Sequence, residues 1–229
     1  MAAGLPIFMV CMHLGHVEPV AAQVRPADAA WLVGAGLVYL TPTLLGVTPS
    51  VPAPCGPCDR TALPAFDRWA VAPYRSGWST GSWITGVAAV GLPVLDLWNE
   101  GPEGRARAVA VMQATSWAVA ATELLKVTFA RHRPLLYADP LEAGVLDDPD
   151  SRQSFPSAHV SGSVAAALTY WWARRSLDGE TTWRAWVPWA LAFGTGVMRI
   201  TAGKHFPSDV VGGVGVGVLS ALIVREVRW

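Results

Sequence analysis

Apolar residues along this chain gather into six stretches, at about 29–47, 82–98, 108–130, 157–174, 184–202 and 207–225, separated by charged and proline-rich sequence. Each reads as a helix and comes close to the ~20 residues needed to cross a bilayer, some only with tilt. The fifth and sixth contain several glycines, which membrane helices use for close packing. The pattern predicts an all-α fold: a polytopic membrane helical bundle of about six transmembrane helices. The competing reading is a soluble all-helical protein with buried helices.

Charge and aromatic placement favour the membrane. With the first stretch running outward from the cytoplasm, the cytoplasmic side receives Arg105 and Arg107, then Arg174, Arg175 and Arg184, and finally Arg225 and Arg228. Trp98, Trp171, Trp172, Trp183, Trp186, Trp189 and Trp229 mark the same helix ends, as a positive-inside bias and an interfacial aromatic belt require. Arg60, Arg68 and Arg75 lie outside, so the bias is modest.

At 229 residues, 52% hydrophobic and 15% charged, the chain has room for one substantial domain and a membrane-like composition. Its formal net charge is zero, which gives no electrostatic footprint for nucleic acid. Residues 1–28 read as an N-terminal tail or possible signal segment, although no Lys or Arg precedes its apolar core, and residues 29–229 as a membrane-embedded domain. Of three cysteines, Cys11 reads as a buried or cleaved apolar residue. Cys55 and Cys58 form CGPC, which has the spacing of a redox dithiol. No βαβ pattern surrounds it, and Pro52, Pro54 and Pro57 favour a local disulfide, or paired thiols, in a turn-rich loop. The acid- and proline-rich segment from Asp139 to Gln153 reads as an exposed connector or partial lid.

Against this apolar background three segments hold cations and imidazoles suited to anion binding and proton transfer: KVTFARHRP (Lys126–Pro134), FPSAHVSG (Phe155–Gly162) and RITAGKHFPSD (Arg199–Asp209). Both lysines of the chain, Lys126 and Lys204, and three of its five histidines lie there. Charges in such a chain cost free energy unless something needs them. The predicted topology brings all three clusters out on one membrane face, the outer one, as a single phosphate-sized anion site.

In the third cluster Pro207 suits the first turn of a helix, so His205 and Asp209 can face each other across that start. A carboxylate on one ring nitrogen fixes the tautomer and leaves the other nitrogen free as nucleophile or base. Arg199 offers a forked donor to phosphate oxygens. In the second cluster Pro156 and Ser157 open a helix whose first amides are free for an anion. Ser157 adds a hydroxyl, and His159 suits proton donation near neutral pH. In the first, Lys126 and Arg133 are two helical turns apart, Pro134 ends the helix, and Glu123 can pair with Lys126. Arg131 and His132 read as interfacial cations that anchor a membrane helix. Taken singly, each cluster has a structural alternative: a buried His–Asp couple, a serine-capped helix, or anchoring cations.

Together the three segments resemble the type 2 phosphatidic acid phosphatase superfamily, whose signature is K-x6-R-P, then P-S-G-H, then S-R-x5-H-x3-D. Here it falls on Lys126 to Arg133-Pro134, on Pro156-Ser157-Ala158-His159, and on Arg199 through His205 to Asp209, a motif core of 126–209. Ala158 replaces the usual glycine, and Met198 stands where serine commonly precedes the arginine.

The resemblance implies metal-independent hydrolysis of a lipid phosphate or diphosphate through a phosphohistidine, with no cofactor. It implies His205 as nucleophile, Asp209 as its orienting carboxylate and His159 as the acid and base. Lys126, Arg133, Ser157, Arg199 and the Ala158 amide would hold the phosphate oxygens. The implied partners are membrane lipids and a lipid phosphate substrate, in the cytoplasmic membrane with the site facing outward. The alternatives are a non-hydrolytic membrane anion binder, a vanadate-dependent haloperoxidase, and a thiol–disulfide protein acting through CGPC.

Overall fold

The computed structural model describes residues 23–47 and 55–229. Most of the expected N-terminal tail, including Cys11, lies outside these residues, as do Pro52 and Pro54. Among the described residues the regular structure is wholly helical: α1 (Pro26–Leu44), α2 (Ala65–Arg68), α3 (Ser76–Trp98), α4 (Gly101–Phe129), α5 (Ala158–Asp178), α6 (Val187–Thr201) and α7 (Pro207–Arg228). The six long helices coincide with the six apolar stretches.

Their ends differ from expectation wherever apolarity was the only guide. Helix α4 begins seven residues before the apolar run, carrying Arg105 and Arg107 within it, and α5 continues through Arg174 and Arg175 to Gly179, whose φ of 74° stops it. Backbone hydrogen bonding continues through charged positions; a left-handed residue ends it. Helix α6 is shorter, because Trp183–Trp186 form a separate 3-10 turn before Pro188 starts the helix proper.

Among the described residues three helices are long and apolar enough to cross a membrane: α3, α4 and α7. Helix α6, at 15 residues, spans only about 22 Å. Helix α5 packs on α3, α4, α6 and α7 at once. Its buried Ala165, Ala166, Ala167 and Thr169 meet protein, which relieves it of the need to be uniformly apolar. Outward-facing Ile84, Leu95, Phe193, Leu219 and Ile223 give the bundle an apolar exterior.

Close approach in the bundle comes from small residues and interhelical hydroxyl bonds. A Cβ added at Gly213 would collide with the Ser157 carbonyl, and one at Gly217 with the Ser161 carbonyl, so these two glycines let α7 lie against α5. Thr122 and Ser161 share a hydrogen bond of 2.8 Å between α4 and α5, and Thr85 and Thr195 share one of the same length between α3 and α6. The end of the bundle holding the α3–α4 turn is tied by Arg174, which bonds Asp96 and Glu100 and leans towards Asp178. There too Arg228 pairs with Asp28.

The opposite end holds the C-termini of α4 and α6 and the N-termini of α5 and α7. Replacing Gly217 by valine forces α7 off α5 and should lower stability by about 1–3 kcal/mol. The check is thermal unfolding in detergent, with Gly215→Val, whose Cβ would enter open space, as the control.

Candidate active site

The segment after α4 does not continue as helix to Pro134. Ala130 takes a left-handed conformation (φ 45°) that closes α4 at Phe129, and residues 131–133 are non-helical, with Arg133 extended. Lys126 and Arg133 are therefore not on one helical face, as their spacing suggested. Backbone bonds bring them together instead. The Arg133 amide donates to the Ser151 carbonyl at 2.9 Å, the Ser154 amide to the Arg131 carbonyl at 2.9 Å, and the Leu135 amide to the Gly203 carbonyl at 3.2 Å. Gly203 holds φ 71° with its α-carbon against the Ala72 and Pro73 carbonyls, a position that admits no side chain. Finally, the Ser157 amide donates to the Asp209 carbonyl at 3.1 Å, joining the start of α5 to the first turn of α7.

The result is one cavity of about 780 Å³ whose polar end is lined by Lys126, Arg133, Ala158, His159, Arg199 and His205, drawn from all three clusters. Ser157 and Asp209 lie fully buried behind this surface. Lys204, Glu123 and Asp150 complete the polar wall, and Val87, Val90 and Val119 line an apolar arm between α3 and α4.

Several of these groups lack protein partners. The Arg199 Nε, the Ser157 hydroxyl and the His159 Nε2 are all buried with no hydrogen bond among the described residues. Trp83 of α3 meets the His159 ring edge to face at 4.8 Å and restricts its orientation. Lys126 bonds Glu123 at 2.7 Å, as the sequence spacing indicated. Buried donors without partners are costly, and a bound anion would satisfy them.

His205 departs from expectation in its partner. Its Nδ1 lies 2.6 Å from the Ser154 carbonyl and 3.7 Å from the Asp209 carboxylate. A carbonyl can only accept, so Nδ1 carries the proton and Nε2 keeps the lone pair. Burial, reinforced by nearby Arg199, Arg133 and Lys126, holds this imidazole well below its usual protonation range. It is therefore uncharged at neutral pH.

Asp209 instead organises the loop around the imidazole. Its Oδ2 accepts from the Ser154 hydroxyl at 2.5 Å and the Phe206 amide at 2.7 Å, and its Oδ1 from Arg131 at 2.5 Å. Through Ser154 it fixes the carbonyl that fixes the imidazole.

Arg131 corrects the sequence reading most sharply. Far from anchoring a helix at the interface, it bridges Asp209 and Asp67, both almost wholly buried, and Ser208 completes the network with hydrogen bonds to Asp67. Asp67 and Ser154 were missed because a single acid in a polar segment and a serine just outside a motif carry no periodic signal. Asp150 was missed because its segment read as solvent-facing. In the fold its carboxylate pairs with Arg133 and lies 3.2 Å from Lys204. Burial alone would raise the Asp150 carboxyl, but Arg133, Lys204 and Lys126 hold it below its ordinary value.

Cys55 and Cys58 form a disulfide; Cys58 packs against Leu135 and Leu136, and Cys55 is exposed. His132 Nδ1 lies 3.8 Å from the Cys58 sulfur, outside the cavity lining. The two sulfurs and His132 form a cluster of metal-ligand type, but disulfide sulfurs offer no thiolates.

A helical frame with a cation site drawn from three separated segments defines a class of phosphate-ester hydrolase. The model of the PAP2 superfamily matches residues 106–229, more than half of the chain, and the chain belongs to that superfamily. Over 104 residues it is 36% identical to the decaprenylphosphoryl-5-phosphoribose phosphatases of two Mycobacterium tuberculosis strains, CDC 1551 / Oshkosh and ATCC 25618 / H37Rv. The match covers 45% of this chain and 51% of each relative, so the chain spans about half the length of the curated relatives it matches. No solved structure gives a significant match.

Two measurements test this geometry. Arg131→Met leaves two buried carboxylates uncompensated and should cost about 3–5 kcal/mol, with part recovered by adding Asp67→Asn. Denaturant titrations of the single and double variants measure both. In the ligand-free protein, histidine ¹⁵N spectra should still show His205 as the neutral Nδ1–H tautomer at pH 6. In the denatured chain it should titrate near ~6.5.

Proposed function

We propose that this protein is an integral-membrane phosphatase that removes phosphate from a lipid phosphate through a phosphohistidine, without a metal ion. The observation that carries this reading is the meeting, in one cavity, of unpartnered Arg199 and His159 with Lys126, Arg133 and an uncharged His205. In this reading residues 29–229 form one membrane-embedded unit whose six long helices cross the cytoplasmic membrane, the shorter ones tilted or partly sheltered. The site then opens at the extracytoplasmic face, and the apolar arm of the cavity takes the lipid chain beside the headgroup. The substrate in the relatives' name, decaprenylphosphoryl-5-phosphoribose, supports a lipid-linked phosphate as the class.

The chemistry follows from the placement of the groups. The His205 Nε2 lone pair attacks phosphorus, and the bond from phosphorus to the lipid oxygen breaks. His159, protonated when the dianion is bound, delivers its proton to that leaving oxygen. Lys126, Arg133, Arg199, the Ser157 hydroxyl and the Ala158 amide hold the nonbridging oxygens as their charge grows. The neutral His159 then takes a proton from water, which attacks the phosphohistidine, releasing phosphate and restoring His205. Asp209 acts on His205 through Ser154 and the Phe206 loop. Fixed cations supply the charge stabilisation for which other phosphatases use metal ions.

The test is phosphate release by detergent-purified protein in excess EDTA, using phosphatidic acid, phosphatidylglycerol phosphate and an isoprenoid diphosphate. His205→Ala should reduce it by more than about 10³-fold and abolish an acid-labile ³²P-labelled enzyme intermediate. His159→Ala should slow it by about 10²–10⁴-fold. Well-folded protein that releases nothing from any substrate would turn the reading towards an anion binder.

A further inference from the structure

The cavity contains more carboxylate than a plain phosphate receptor calls for. Its lining has four cations, Lys126, Arg133, Arg199 and Lys204, and two carboxylates, Glu123 and Asp150. The fixed charge is therefore +2. Glu123 is spent on Lys126, one helical turn away. Asp150 differs, because it reaches in from a separate segment, the 3-10 turn Pro149–Arg152, and engages Arg133 and Lys204 together. Its side chain is 46% exposed while that of Arg133 is 2% exposed, so the carboxylate stands at the mouth and the guanidinium at the floor.

Arg133 does not need this carboxylate to be held in place. Its Nε donates to the Asp150 backbone carbonyl at 2.6 Å, its Nη1 to the Lys204 carbonyl at 3.3 Å, and its main-chain amide is fixed by Ser151. The Asp150 side chain thus adds a negative charge at the mouth without being the sole support of the floor.

We propose that Asp150 is a specificity-determining residue that matches the site to the two negative charges of a phosphate monoester and disfavours the additional charge of a diphosphate. Lys126, Arg133 and Arg199 receive the terminal phosphate. Anything attached beyond it passes the mouth, where the Asp150 carboxylate repels a second phosphate and accepts hydrogen bonds from a neutral hydroxyl-bearing group. Repulsion between like charges in a partly desolvated site changes affinity by about an order of magnitude or more. The proposal rests on the phosphate-site reading above and extends it to substrate charge.

The test compares wild type with Asp150→Asn, and with Asp150→Ser should the first fail to fold. Binding of inorganic phosphate and pyrophosphate is measured by calorimetry, and turnover of a monophosphate and a diphosphate on the same isoprenoid chain is measured in parallel. Wild type should favour the monophosphate in both assays, and loss of the charge should move both ratios towards the diphosphate by about tenfold. Asp150→Glu should keep the wild-type ratio.

An unchanged ratio in a folded neutral variant overturns the proposal, as does a wild type that prefers pyrophosphate. Equal loss of both ligands also overturns it, because Asp150 would then only position Arg133. Selective anion binding without turnover of either lipid would sink the phosphatase reading and leave the charge-matching role standing.

Discussion

Arg131 is the interaction on which the rest of the site depends. Its guanidinium joins Asp67, from the segment before α3, to Asp209, in the first turn of α7, while its own carbonyl receives the Ser154 amide. Three stretches distant in sequence are thereby held to one charged centre in an apolar bundle. Two buried carboxylates around one arginine are tolerable only with every oxygen satisfied, and Ser208, Ser154 and the Phe206 amide supply what Arg131 does not. The same network aims the Ser154 carbonyl at His205, so the frame also sets the imidazole tautomer.

The cavity beside this network is built on the opposite logic. There the cations are only partly compensated: Lys126 by Glu123, Arg133 and Lys204 by Asp150, and Arg199 through its Nε by nothing among the described residues. A site left short of negative charge is costly by itself and suited to an incoming anion. The bundle sustains that cost because helix contacts away from the site, such as glycines of α7 on carbonyls of α5, hold the backbone in place. Saturated ion pairs on one side and open donors on the other divide support from chemistry.

Much of this was legible in the sequence. The six long helices follow the apolar stretches, and Pro207 starts α7 where proline belongs in a first turn. Glu123 pairs with Lys126 because a helix places residues three apart on one side. Six of the eight residues expected to serve catalysis or phosphate binding line one cavity, with Ser157 and Asp209 just behind it. Helix ends were less legible, because hydropathy changes where charge begins and helices stop where backbone conformation changes, as at Ala130 and Gly179.

The chain by itself determined its helical class, its family signature and the chemical types that meet in the site, since periodicity, spacing and side-chain chemistry are local properties. Tertiary structure alone decided the pairings: Ser154 rather than Asp209 on the imidazole, Arg131 on Asp67 across 64 residues, and Asp150 folded back onto Arg133 and Lys204. Those choices turn on which buried donors and acceptors satisfy one another in three dimensions, and a linear pattern carries no term for that competition.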